Sequence, residues 1–187
     1  YAEQARLDLA YVYYKMEDVE PALAATDRFI KLHPRHPKVD YAYYLRGLIL
    51  FEENQSFLYE TFNQDPVHRN PEGARIAYAN LAELVKRFPD SQYTKDARQR
   101  MIHLRNRLAA YEVYVGNFYL QRDAYLAAVN RGKYVIEHYQ NTEAVGDALV
   151  LMVKSYKKMG LNKLADDSMR VLVLNFPQHP EILRINN

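Results

Sequence analysis

The chain has 187 residues, 49% of them hydrophobic, and its 25 Lys and Arg against 23 Asp and Glu leave a net charge of +2. That length allows one ordinary domain or one solenoid with a core, while near-balanced charge offers no surplus with which to displace the counterions of a nucleic acid. The absence of cysteine excludes disulfides, thiol catalysis and Cys-ligated zinc, and the longest apolar stretches, such as 148–153, fall far short of the ~18 residues of a membrane span.

Tyrosine occurs 17 times and tryptophan not at all, while only six glycines and few β-branched runs argue against a strand-rich fold with many tight turns. Apolar residues instead recur at steps of three and four, which predicts helices over 2–16, 18–33, 38–52, 71–88, 92–121, 123–138, 143–159 and 161–176. Pro34 and Pro37 stop the second, Pro89 with Asp90 and Ser91 ends one helix and caps the next, and Gly160 suits a left-handed residue after a helix. Tyr1 opens directly onto a helical pattern without a cap, so the chain reads as beginning inside a longer protein.

A repeat emerges from spacing. Four segments end alike: Phe29-Ile-Lys-Leu-His-Pro34, Leu84-Val-Lys-Arg-Phe-Pro89, Val135-Ile-Glu-His-Tyr-Gln140 and Leu172-Val-Leu-Asn-Phe-Pro177. Twelve residues before each terminal position stands Ala22, Ala77, Ala128 or Ala165, and nine before three of these stands Tyr13, Tyr119 or Tyr156. A helix pair cannot bury its apolar face alone, and stacked pairs bury a continuous core. The pattern resembles the tetratricopeptide repeat and predicts an all-α solenoid of four helix pairs, lacking an N-terminal pair, as one domain over 1–187. Its repeats fall at about 1–36, 37–90, 91–141 and 142–180. The second carries an insertion at about 53–70, and the third one long helix from about Tyr93 to Gln121.

More specific runs carry a second resemblance. His36-Pro-Lys-Val-Asp-Tyr-Ala-Tyr-Tyr-Leu-Arg-Gly47, Leu84 to Tyr93 followed by Asp96-Ala-Arg98, Asn106-Arg-Leu-Ala-Ala-Tyr-Glu112 and Ala127-Ala-Val-Asn-Arg131 resemble the BamD family. These are tetratricopeptide lipoproteins of the outer-membrane β-barrel assembly machinery. The resemblance implies a non-enzymatic scaffold on the periplasmic face of the bacterial outer membrane. It also implies a signal peptide, a lipidated cysteine and about one further helix pair before Tyr1, so membrane anchoring would run only through that lipid. The implied partners are the POTRA region of BamA, the lipoproteins BamC and BamE, and unfolded barrel proteins. An arginine used against an acidic POTRA residue corresponds to Arg131, with Asn130 and Tyr134 as neighbouring interface candidates. The plain alternative for Arg131 is a solvated ion pair worth about 0–1 kcal/mol.

Threading the repeat onto its markers places Tyr11, Tyr14, Tyr41, Tyr44 and Leu48 on the inner face, a groove suited to an extended aromatic-rich peptide. Packing between repeats is the competing explanation. Lys95, Arg98, Arg100, Arg105 and Arg107 form a basic strip for an acidic partner or lipid headgroups, or else a solvated face, and residues 52–72 carry a net charge of −4. His33 and His36 lack a third ligand at metal-site spacing, Asp166 and Asp167 point apart on one helix, and no phosphate loop or nucleophile elbow occurs. No cofactor, metal or catalytic residue is expected. The rival functions are a tetratricopeptide adaptor of another cell-envelope complex and a substrate-recruiting arm of an enzyme.

Overall fold

Helices account for all the regular structure among the described residues, 2–60 and 71–186, of the computed structural model. They are α1 (Ala2–Lys15), α2 (Val19–Leu32), α3 (Val39–Glu60), α4 (Glu72–Arg87), α5 (Thr94–Leu120), α6 (Tyr125–His138), α7 (Ala144–Lys158), α8 (Asn162–Asn175) and α9 (Glu181–Asn186). Seven of the eight predicted helices end within two residues of these bounds. The exception, α3, was expected to stop at 52 but continues to Glu60, because residues 53–60 contain neither proline nor glycine to break it. The expected insertion at 53–70 thus begins as helix, and residues 61–70 lie outside the described residues. The described residues form two compact units, 2–60 with 71–104, and 105–186.

The tyrosine and alanine markers have a common physical cause. The carbonyls of Tyr13, Tyr119 and Tyr156 each accept a hydrogen bond from the N–H five residues on, of Asp18, Ala124 and Leu161, all at 3.0 Å. Such a closure requires a left-handed residue just before the donor, and Glu17, Asp123 and Gly160 stand there at φ of 61°, 60° and 72°. Four residues after each donor comes a marker alanine. Ala22, Ala77, Ala128 and Ala165 are all buried, as are Phe29, Leu84, Val135 and Leu172 seven residues beyond them. A larger side chain at the alanine would hold the paired helix away.

The connections between pairs share a second construction. His36, Ser91, Thr142 and His179 donate their N–H to the carbonyls of His33, Phe88, Tyr139 and Phe176, at 3.1, 3.1, 3.3 and 2.9 Å. Their own carbonyls accept from Val39, Thr94, Val145 and Ile182. The His36 and His179 Nδ1 atoms and the Ser91 Oγ each also accept the N–H two residues on, whereas Thr142 Oγ1 donates back to the Tyr139 carbonyl. The fourth such turn launches α9, in the register of a first helix, with Ile182 packed against the buried Leu149, Val150 and Leu172.

Within the second unit, α6 and α8 begin on Ala124 and Leu161, which provide no side-chain cap. A Ser, Thr, Asp or Asn at such a position is worth about 1 kcal/mol. The three left-handed turn residues supply a direct test of the repeat construction. Glu17→Gly should raise stability by about 0.5–1 kcal/mol in urea unfolding, because only the side chain opposes its φ. Gly160→Ala should lower stability by a similar amount, since a Cβ there meets no atom within 4 Å and the cost is conformational alone.

Candidate functional site

In the second unit, Arg131 lies on α6 one turn past the buried marker Ala128, and its Nη1 donates to Glu112 Oε2 on α5 at 2.7 Å. The two partners differ sharply in their contact with water. The Glu112 side chain is 2% exposed and that of Arg131 40% exposed, so a buried carboxylate grips a guanidinium whose outer edge remains wet. That hydrogen bond holds the arginine more firmly protonated than usual, against the opposing effect of burial, and the marker Tyr119 contributes a further hydrogen bond. Gly116 sits beneath: a Cβ there would lie 3.3 Å from that of Arg131 and would strike Leu151 of α7. Glycine therefore lets α5, α6 and α7 close up under the arginine.

Asn130 and Tyr134 are exposed beside it on α6. Tyr134 stacks on His138 with ring centroids 4.1 Å apart and meets Tyr139 edge-on at 5.9 Å. Arg105 reaches this face from α5 and donates to the His138 carbonyl at 3.3 Å. Two arginines and a stacked aromatic pair thus share one surface, an arrangement that can receive an acidic side chain with a bidentate arginine contact. Arg131 is held by Glu112 at 2.7 Å and is not a freely solvated helix charge.

In the first unit the structure gathers four of the five groove residues and adds others. Tyr11 and Tyr14 lie 6.0 Å apart with Lys15 over both rings, Tyr14 bonds Glu52, and Tyr41 and Tyr44 both pack on Tyr93, the latter stacked at 4.8 Å. The Tyr44 hydroxyl donates to Asp96 Oδ2 at 2.8 Å, and Arg100 Nε donates to the same oxygen at 2.6 Å while its guanidinium covers Phe51. Burial acts to raise the Asp96 carboxyl, but the bonds from Arg100 and Tyr44 outweigh it and hold the group below its ordinary range. Burial and the charge of Tyr93 push Tyr41 up to about 12, and burial with the bond to Asp96 raises Tyr44. Leu48 is buried in the unit and presents nothing to a guest.

Tyr93, Asp96 and Glu52 were not singled out for this surface by sequence. The first two fall on the turn and first turn of α5; the offset from His36 to Ser91 aligns Asp96 with Tyr41 but Tyr93 with Lys38, so spacing did not mark them. The basic strip divides as helical geometry requires. In the first unit Lys95 and Arg98 are exposed, whereas Arg100 faces the tyrosines. In the second unit, Arg105 bonds α6 and Arg107 is half-buried. His33 Nδ1 and His36 Nε2 both face Glu3, at 3.1 and 3.7 Å, and both rings pack on Phe29, tying α1 to the turn after α2.

A family model described as YfiO, outer membrane lipoprotein, matches residues 1–172. A relative from Neisseria meningitidis serogroup B, the outer membrane protein assembly factor BamD, is 49% identical over 180 residues, covering 96% of this chain and 67% of its own. The BamD of Vibrio cholerae is 38% identical over 175 residues, 94% of this chain and 73% of its own. That of Haemophilus influenzae is 35% identical over 175 residues, 94% and 67% of the respective chains.

Two outcomes follow from the geometry. Arg131→Gln should cost about 2–3 kcal/mol of stability by stripping a buried carboxylate of its arginine, and adding Glu112→Gln should recover most of that in a double-mutant cycle. In alkali the unfolded chain releases its tyrosine protons near the ordinary 10.0, before folded Tyr41 does at about 12. Stability is therefore full below pH 10 and declines toward 12. The urea midpoint measured across that range should fall less steeply for Tyr41→Phe.

Proposed function

We propose a scaffold function on one premise: this chain belongs to the YfiO (BamD) family of outer membrane lipoproteins. The chain is a non-enzymatic assembly factor for outer-membrane β-barrel proteins. It docks its α5–α6 surface, through Arg131 with Asn130 and Tyr134, onto an acidic residue in the POTRA region of BamA. The same repeats, acting as one domain of residues 1–187, support the accessory lipoproteins BamC and BamE. The tyrosine surface of the first unit receives extended segments of unfolded barrel chains, with Tyr11, Tyr14, Tyr41 and Tyr44 in contact. In the full-length protein a lipid holds the assembly on the periplasmic side of the outer membrane.

The observation that supports this reading best is the bond from half-exposed Arg131 to buried Glu112. A free surface arginine loses side-chain entropy when a partner fixes it, roughly 0.5–1.5 kcal/mol, and Glu112 has already imposed much of that loss during folding. The remaining guanidinium N–H groups stay available to an incoming carboxylate, and the stacked Tyr134 supplies apolar area beside them. Among the described residues no helix is long and apolar enough to cross a membrane.

Calorimetric titration of this chain with a POTRA fragment of BamA tests the docking. Saturable one-to-one binding that weakens with salt is expected. Arg131→Glu is a poor probe, because it sets a second carboxylate against buried Glu112 and endangers the fold. The paired Glu112→Gln/Arg131→Gln variant keeps the site neutral, and it should bind at least about 10-fold more weakly while retaining full helicity. Parental affinity in that variant would remove Arg131 from the interface.

A further inference from the structure

The turns joining α5 to α6 and α7 to α8 lie side by side at one end of the second unit. Gly116 of α5 meets Leu151 of α7, and Val129, Met152, Tyr156 and Ala165 form one cluster between the two pairs, so equivalent turns fall next to each other. This end carries an unusual surface. Phe118, Leu126, Met159, Leu161 and Leu164 are all exposed there, Leu126 by 63%. Between them stand Arg122, Lys157, Lys158 and Lys163 against Asp123 and, a turn further along α8, Asp166. The Arg122 guanidinium lies 3.5 Å from the centre of the Phe118 ring.

The turn construction does not demand these side chains. The equivalent turn of the first unit uses Asp18, Glu20 and Pro21 where the second unit has Ala124, Leu126 and Ala127 in one turn and Leu161, Lys163 and Leu164 in the other. Leucine at 161 is 41% exposed and gives α8 no side-chain cap. Exposed leucines interspersed with lysines and an arginine fit a partner that is both apolar and anionic. The chain's membership of an outer membrane lipoprotein family puts a phospholipid leaflet within reach.

We propose that this end of the second unit is a peripheral contact surface for an anionic phospholipid leaflet. Leu126, Met159, Leu161 and Leu164 enter the boundary between headgroups and acyl chains, and Arg122, Lys158 and Lys163 hold lipid phosphates. The inference uses the family membership but not the docking role of Arg131. Its consequence is orientation: a surface contact added to a lipid anchor fixes which face of the unit turns toward the membrane.

Vesicle flotation of the chain, without any lipid modification, tests it. Vesicles of phosphatidylethanolamine with phosphatidylglycerol should carry the chain at low salt, and vesicles of neutral phosphatidylcholine should carry far less. Lys158→Glu/Lys163→Glu should reduce flotation roughly 10-fold or more. Leu161→Asp separates this role from a structural one. It should lower flotation without lowering the melting temperature, because Leu161 is exposed and a carboxylate at the N-terminus of α8 meets the helix dipole favourably. Flotation of that variant equal to the parent overturns the proposal. So does equal binding to neutral vesicles, or no flotation with any vesicle, which would leave the patch to a protein partner.

Discussion

A single backbone closure governs the second unit: the bond from a tyrosine carbonyl to the N–H five residues later. It forces a left-handed residue into the turn, fixes the angle at which the second helix departs, and so decides that the residue nine after the tyrosine faces the first helix. Only a small side chain fits there, which is why alanine marks the site. In the third repeat the same residues build the surface proposed for docking. Tyr119 supplies the closing carbonyl and bonds Arg131, and Arg131 stands one turn beyond the marker Ala128. The arginine's place is set by the repeat before any partner arrives.

Glu112 converts that placement into a constrained charge. Taking a carboxylate out of water costs several kcal/mol unless a cation and further hydrogen bonds replace the water, and Arg131 provides the cation at 2.7 Å. A leucine at 112 would fold more simply, so the pair contributes little net stability compared with an apolar substitute. What it does contribute is geometry, since a charge bonded to a buried partner does not wander as a surface lysine would. The strength of the contact also complicates any test of it: a single change at Arg131 disturbs the fold, and only a paired substitution at 112 and 131 isolates an effect on binding.

Much of this was legible in sequence because the repeat is a constraint on spacing, and spacing is what a sequence displays. The helix bounds, the long α5 and the marker alanines follow from it. The partner of Arg131 does not, since Glu112 lies 19 residues away on another helix and its burial depends on how α5 packs. Charge counted along the chain misled in a different way. Arg100 was grouped with its neighbours in a basic strip, but 100° of rotation per residue turns it from Lys95 and Arg98 toward Asp96 and Phe51. The turn residues His36, Ser91, Thr142 and His179 were visible as a fixed offset of two from the repeat ends. Their differing chemistry hid a shared hydrogen-bonding role, and with it the start of α9.

The tyrosine surface of the first unit has a consequence for any guest. Several of its polar groups are already paired with one another, Tyr44 and Arg100 on Asp96, Tyr14 on Glu52. An incoming peptide gains few new hydrogen bonds there, because each would exchange for one already made and contribute near zero net. What remains is aromatic area, which every apolar or aromatic side chain can use. Binding on such terms is tolerant of sequence and modest in strength. A chaperoning surface needs both properties, because an assembly factor must accept many barrel sequences and release each of them. A surface of unpaired donors would select one partner and hold it; pairing of the Tyr14 and Tyr44 hydroxyls within the unit works against such selection.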